Sequence, residues 1–191
     1  MDWSQVFLII VFFPFFQISC LGSKVSLEEF NKAFAQWNKS IAGCVKFQQT
    51  KIISSLNVHL KSQGLLCVEL EKSVKWIILK PEPLEMILTK TGIHLKTQTQ
   101  NIDYGINEIP QSQNQGLKNL LNLFFQNTHD LFQTFEMEKL SKSNFALVPK
   151  DEKDLFKKIE IYIQPKNNKL QKIILHEKSD DQILINFILH P

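Results

Sequence analysis

The chain has 191 residues, of which 43% are hydrophobic and 21% charged, a balance that suits one globular domain with a sizeable core. A net charge of +3, no five-residue run of Lys or Arg and no aromatics interleaved with basic residues together argue against a nucleic-acid binder. Fifteen Phe against two Tyr favours apolar lining over the amphipathic aromatics of recognition surfaces.

The first stretch, MDWSQVFLIIVFFPFFQISCLGS, is expected to be an export signal occupying residues 1–22, with residues 23–191 forming a single mature domain. Its apolar run from Val6 to Phe16 is 11 residues long, short of the ~20 that cross a bilayer. Cleavage after Gly22 puts Cys20 and Gly22 at the small-residue positions. The segment departs from the usual pattern in carrying Asp2 and no Lys or Arg, and an uncleaved anchor is the other reading. Cys20 also raises lipidation: Ser19 fits a lipobox and Gln17 does not.

Next comes SLEEFNKAFAQWNKSI. Ser26 with Glu29 forms a capping box, and Leu27, Phe30, Phe34, Trp37 and Ile41 recur at helical spacing, so an amphipathic helix opens the domain. From Cys44 the period changes to two. Val45 and Phe47, Val58 and Leu60, Leu66 and Val68, Val74, Trp76 and Ile78, Met86 and Leu88, then Ile93 and Leu95 alternate with polar residues, as half-buried antiparallel strands do. Turns are expected at Ser62-Gln63-Gly64 and Lys90-Thr91-Gly92. Cys44 and Cys67 fall on consecutive strands of a hairpin turning near Leu56; in an exported protein they form a disulfide, or else stay as small buried hydrophobes.

Residues 106–115 read as a polar loop. Leu117, Leu120, Leu121, Phe124 and Phe125 then mark a second amphipathic helix, which is either a core helix or a lid over an apolar space. Strands are expected again over Phe132–Met137, Phe145–Val148, Ile159–Ile163, Leu170–Leu175 and Ile183–Leu189. The sum is a mainly β, α+β protein: a meander of roughly ten strands with two helices.

Chemistry-bearing motifs are scarce. The five histidines show no zinc-type spacing, and no nucleophile elbow or Gly-rich phosphate loop is present. The reading is of a protein that is not an enzyme and needs no metal or cofactor.

One resemblance runs through the chain from about residue 27 to 188. Phe47-Gln48-Gln49-Thr50-Lys51 is similar to an F-x-Q-x-K element; Gly64 follows 17 residues after Phe47, Trp76 another 12 on, and Pro81 five beyond that. Thr89–Gly92, Phe145-Ala146-Leu147-Val148-Pro149-Lys150 and HEKSDDQILINF complete the series. In order and spacing these resemble the periplasmic outer-membrane lipoprotein carriers, the LolA-like family. The resemblance implies an open, strongly curved antiparallel sheet, an unfinished barrel, enclosing an apolar cavity closed by helices. It implies a monomeric periplasmic carrier taking the acyl chains of a lipoprotein or lipid from an inner-membrane exporter to an outer-membrane acceptor. An outer-membrane receptor lipoprotein of similar fold, anchored through Cys20, is the alternative. The cavity residues it implies are Phe47, Leu66, Val68, Leu70, Trp76, Ile78, Met86, Leu88 and Phe145, with Leu117, Leu120, Leu121, Phe124 and Phe125 on the lid. Two departures stand out. Leu70 occupies a position where the family carries an arginine, and W-x4-P-x-P resembles a divergent branch associated with lipid and glycolipid export.

Overall fold

A computed structural model of the protein describes residues 23–29, 31–32, 43–69, 72–105, 107–108, 111–125, 128–167 and 169–188. The expected signal segment with Cys20, and Phe30, Phe34, Trp37 and Ile41 of the opening helix, lie outside the described residues. Residues 27–29 and 31–32 are helical, and the Glu29 N–H donates to Ser26 Oγ at 3.2 Å, half of the expected capping box.

Among the described residues twelve strands follow one another along the chain: β1 (Ser23–Lys24), β2 (Gly43–Ile53), β3 (Val58–Glu69), β4 (Ser73–Lys80), β5 (Leu84–Thr89), β6 (Gly92–Lys96), β7 (Asn101–Gly105), β8 (Phe135–Lys139), β9 (Asn144–Pro149), β10 (Phe156–Ile163), β11 (Leu170–Glu177) and β12 (Gln182–Ile188). Two helices, α1 (Gln111–Phe125) and α2 (Thr128–Thr134), separate β7 from β8. All twelve strands form one antiparallel sheet in the order β1-β8-β9-β10-β11-β12-β2-β3-β4-β5-β6-β7, so it has two free edges and does not close.

Period-two alternation assigns the faces. Along β10, Ile159, Ile161 and Ile163 are buried on the inner face. Cross-strand partners carry each inner position across the sheet. One row runs Phe145–Ile161–Ile173–Ile185–Gln49–Ser62, another Leu147–Ile159–Leu175–Ile183–Lys51–Leu60, and a third Phe187–Phe47–Gly64–Ile78–Leu84. Helix α1 packs its Leu121, Leu123 and Phe124 into the core formed by this face.

Three expectations change. The Ser62-Gln63-Gly64 turn does not exist: these residues continue β3, paired with Gln49, Gln48 and Phe47. The hairpin turns at Ser54–Leu56, where the pairing of Cys44 and Cys67 placed it, closed by Asn57 at φ 50, a left-handed conformation that asparagine tolerates better than most residues. The local turn chemistry at residue 62 loses to eleven consecutive pairings along β2 and β3. Phe132–Met137 is a strand only from Phe135; before it lies α2, with Asp130 in its first turn and Leu131 buried. The helix after the polar loop begins at Gln111, inside the stretch read as loop, and Asn101–Gly105 adds an edge strand whose one apolar side chain facing inward, Ile102, gives too short a pattern to read.

Gly64 is required by packing. A side chain there would meet the carbonyl oxygen of Ile77 at 1.8 Å, because β3 and β4 slip register at this point. Phe47 on β2 and Trp76 on β4 stack across the intervening strand, ring centroids 4.6 Å apart, where Gly64 contributes no side chain. Cys44 and Cys67 are direct partners on β2 and β3, joined by an S–S bond of 2.08 Å.

Gly64→Ala is expected to lower the unfolding free energy by at least about 2 kcal/mol in urea titrations, since backbone rather than a flexible side chain must move. The double variant Cys44→Ala/Cys67→Ala releases a loop with a sequence separation of 23 residues. It should lose about 3 kcal/mol by the chain-entropy estimate, read as a matching difference between oxidised and reduced wild-type protein.

Candidate functional site

Between the inner face and α1 lies a cavity of about 270 Å³. β4 supplies Val74, Trp76 and Ile78, and β5 supplies Leu84, Met86 and Leu88. From the other half of the sheet come Phe156, Ile173, Leu175, Ile183 and Ile185, and α1 covers them with Leu120, Leu121 and Phe124. Gln49 is the one polar residue among the fifteen that line it.

This lining fixes the shape of the sheet. β11 and β5 are five strands apart in sheet order, about 24 Å in a flat sheet. Their side chains nevertheless border one small space, so the sheet curls strongly around α1. Of the residues expected at the cavity, Trp76, Ile78, Met86 and Leu88 border it, as do Leu120, Leu121 and Phe124 of the helix. Phe47, Leu66, Val68 and Phe145 are buried in the surrounding core. Leu70 lies outside the described residues; Leu117 and Phe125 fall on α1 with side chains outside the described set. Sequence reading did not select Phe156, Ile173, Leu175, Ile183 or Ile185. Their alternation marked strands, but nothing local says that β10–β12 curl round to face β4 and β5.

A buried polar contact joins helix α1 to the segment before β10. The Asn119 side-chain amide donates to the Asp154 carboxylate, and both residues are buried. The second Asp154 oxygen accepts from the Phe156 N–H at 2.9 Å. Burial pushes the Asp154 carboxyl up, against the hydrogen bonds from Phe156 and Asn119 and the charge of Lys178, which pull the other way. Gly116, one turn before Asn119, lets the helix lie close to Leu155 and Phe156: a side chain there would approach Leu155 Cβ to 3.0 Å.

The remaining chemistry is elsewhere. On the outer face of β10 and β11, Glu160 accepts from Tyr162 OH at 2.6 Å, pairs with Lys158 Nζ at 2.6 Å and stands 3.2 Å from His176 Nε2. Burial would raise the Glu160 carboxyl, but these hydrogen bonds and charges outweigh it and hold it low. The Tyr162 hydroxyl is pushed up to about 12 by its hydrogen bond to that carboxylate. A groove of about 650 Å³ beside β12, β2 and β3 is lined by polar residues, lysines and Pro81, with Gln49 and Ser62 among them. Among the described residues no three His, Cys, Asp or Glu side chains are grouped to hold a metal ion, and no helix is long and apolar enough to cross a membrane.

The sequence profile of the outer membrane lipoprotein carrier protein LolA matches residues 39–189. The chain belongs to the LolA family. Solved structures with a similar arrangement include a LolA superfamily protein from Nitrosomonas europaea (7% identity, TM-score 0.44, covering 83% of this chain and 91% of that one). A putative outer membrane lipoprotein-sorting protein domain from Vibrio parahaemolyticus (8%, 0.44, 84% and 89%) and the lipoprotein LppX from Mycobacterium tuberculosis (9%, 0.42, 85% and 92%) are also similar. No curated protein sequence matches the chain.

The raised Asp154 group sets a pH dependence. In the window between the ordinary aspartate range and its raised value, the closed protein binds more protons than one with α1 released, so closure weakens as pH rises through that window. The urea stability of wild type relative to Asp154→Asn should therefore fall from pH 3.5 to 7; a flat difference would show that Asp154 is not the group responsible.

Proposed function

We propose that this LolA-family protein is a carrier that takes acyl chains into the cavity under α1. The observation that carries the reading is the cavity itself: fourteen of its fifteen lining residues are apolar, in a place where a folded core would ordinarily be filled. Each methylene moved there from water gains about 0.8 kcal/mol, so hydrocarbon is the ligand such a space holds best. α1 acts as the lid. It contributes Leu120, Leu121 and Phe124 to the lining and is tied to the strand side by the Asn119–Asp154 contact, a polar connection outside the strand ladder.

On this reading residues 1–22 are the export signal and residues 23–191 the single carrier domain, working as a monomer outside the cytoplasm. The cargo is a lipoprotein or lipid, received from an inner-membrane exporter and passed to an outer-membrane acceptor. Leu70, flanked in sequence by Glu69 and Glu71, stands where the family carries an arginine, so retention of cargo is assigned to the lid and the cavity rather than to a cation at that position.

A chain-length series tests the function. Affinity of the mature protein for neutral alkyl ligands, read by displacement of the fluorophore N-phenyl-1-naphthylamine, should rise about fourfold per added methylene and then level off once the 270 Å³ is filled. Leu121→Trp, which fills the space from the lid side, should abolish the rise while the protein stays folded by circular dichroism. Absence of any binding in the wild type, with the same fold, would exclude the carrier reading.

A further inference from the structure

Strand β3 outruns its neighbour on one side. β2 pairs with it from Val58 to Val68, whereas β4 pairs with it only from Gln63 to Glu69. β4 ends at Lys80, and Pro81 after it has no N–H with which to continue a ladder. Val58–Ser62 therefore run with β2 on one side and, among the described residues, no strand on the other. Every second residue of that segment turns its backbone N–H and C=O to the open side. Five residues of strand make an open lane of about 17 Å.

The side chains along this edge are sorted by face. On the inner face Val58 is 38% exposed and Leu60 51%, and Leu56 in the adjoining turn is 68% exposed. Three large apolar side chains thus stand in water beside unpaired backbone, a combination that sheet edges ordinarily avoid. On the outer face His59 and Lys61 alternate with them, and Lys80 marks where β4 stops. None of these three forms an ion pair among the described residues. Lys61 and Lys80 also line the groove beside β12, β2 and β3, whose nine lining residues include no carboxylate. Acidic groups on the other flank of the hairpin are already engaged: Glu177 with Lys51 Nζ at 3.1 Å, and Asp181 with the Ser54 N–H at 3.0 Å.

We propose that Val58–Ser62 is a docking edge for an extended segment of a partner protein, which adds as a strand antiparallel to β3 in the lane that β4 leaves and which alternates apolar with acidic residues. The backbone sets the class of partner: a row of unpaired N–H and C=O groups is completed by another strand and not by hydrocarbon. Side chains directly opposite each other share a face, so the residues set against Val58 and Leu60 are apolar and those set against His59 and Lys61 are acidic. A second copy of the same edge fits poorly, because antiparallel self-pairing about Leu60 would set His59 of each copy against Lys61 of the other. The edge lies outside the cavity lining, so docking there stands independently of what the cavity holds.

The test uses fluorescein-labelled peptides and the mature protein, read by fluorescence anisotropy. The peptide TEVEVT is expected to bind at least about tenfold more tightly than TKVKVT, and Lys61→Glu, a change at an exposed side chain, should reverse that preference. Two further versions of TEVEVT carry N-methyl groups on alternate amides, one on the odd residues and one on the even. A strand presents only one of those sets to its partner, so one version should keep the affinity of the parent and the other should lose it. Loss in both versions, or in neither, overturns strand addition, and equal binding of TEVEVT and TKVKVT overturns the acidic pattern. Vesicles of phosphatidylglycerol test a lipid surface as the occupant. If no peptide binds and the protein associates with the vesicles, and Leu56→Ser/Leu60→Ser removes that association, the apolar tip serves a membrane and the proposal is wrong. It is equally wrong if neither peptides nor vesicles bind. The peptide comparison on the wild type needs no variant, so a folding defect in one does not remove the test.

Discussion

An inner sheet face made of Trp76, Ile78, Met86, Leu88, Ile173 and Ile185 has to be kept from water, and the sheet does not close on itself to do so. In a closed barrel of this kind the last strand would pair with the first. Here β1 and β7 remain at opposite edges, and the covering falls to α1, which enters between β7 and β8. A straight helix laid on a curled sheet meets it along one side and leaves a gap on the other. The 270 Å³ cavity is that gap, and the whole functional reading depends on it.

The devices that shape the cavity are few. Gly64 permits the register slip that seats β4 against β3 and leaves room for Phe47 and Trp76 to stack above it. Gly116 lets α1 approach Leu155 and Phe156, and Asn119 with Asp154 fixes it there. The strand wall is thus tied by an extensive ladder and a disulfide, whereas α1 is tied by apolar contact and the buried Asn119–Asp154 pair. On the proposed function that inequality matters, because a wall that holds its shape while α1 moves requires α1 to carry the weaker tie.

The polar groups divide between the two faces in a way that matters for function. On the outer face Glu160 gathers Lys158, Tyr162 and His176 around its carboxylate, linking β10 to β11, although His176 Nε2, 3.2 Å away, is buried without a formed hydrogen bond. On the inner face Gln49 borders the apolar cavity, and Ser62 Oγ, at the paired position on β3, is buried without a hydrogen-bond partner among the described residues.

The period-two alternation of Val74, Trp76 and Ile78, of Met86 and Leu88, and of Ile159, Ile161 and Ile163 was enough to identify strands and their buried side, because pleating makes side-chain direction a local property. The helical spacing of Leu120, Leu121 and Phe124 likewise identified a helix with one apolar face, leaving open whether it served as core or as lid. Even so, local chemistry misplaced a turn at Ser62-Gln63-Gly64, where long pairing with β2 governs, and hid the start of α1 in a stretch read as polar loop. What no local pattern could supply is the curl that brings Leu175 and Met86, on strands five apart, to one cavity wall. Nor could it tell cavity from core. Phe47 and Trp76 have the same periodicity and touch each other, yet Trp76 borders the cavity and Phe47 is filled in behind it. The sequence by itself determined which residues turn inward, since that depends on spacing along the chain. Only the tertiary structure decided which of them meet a partner and which meet an open space, since that depends on how far the sheet curls before the helix stops it.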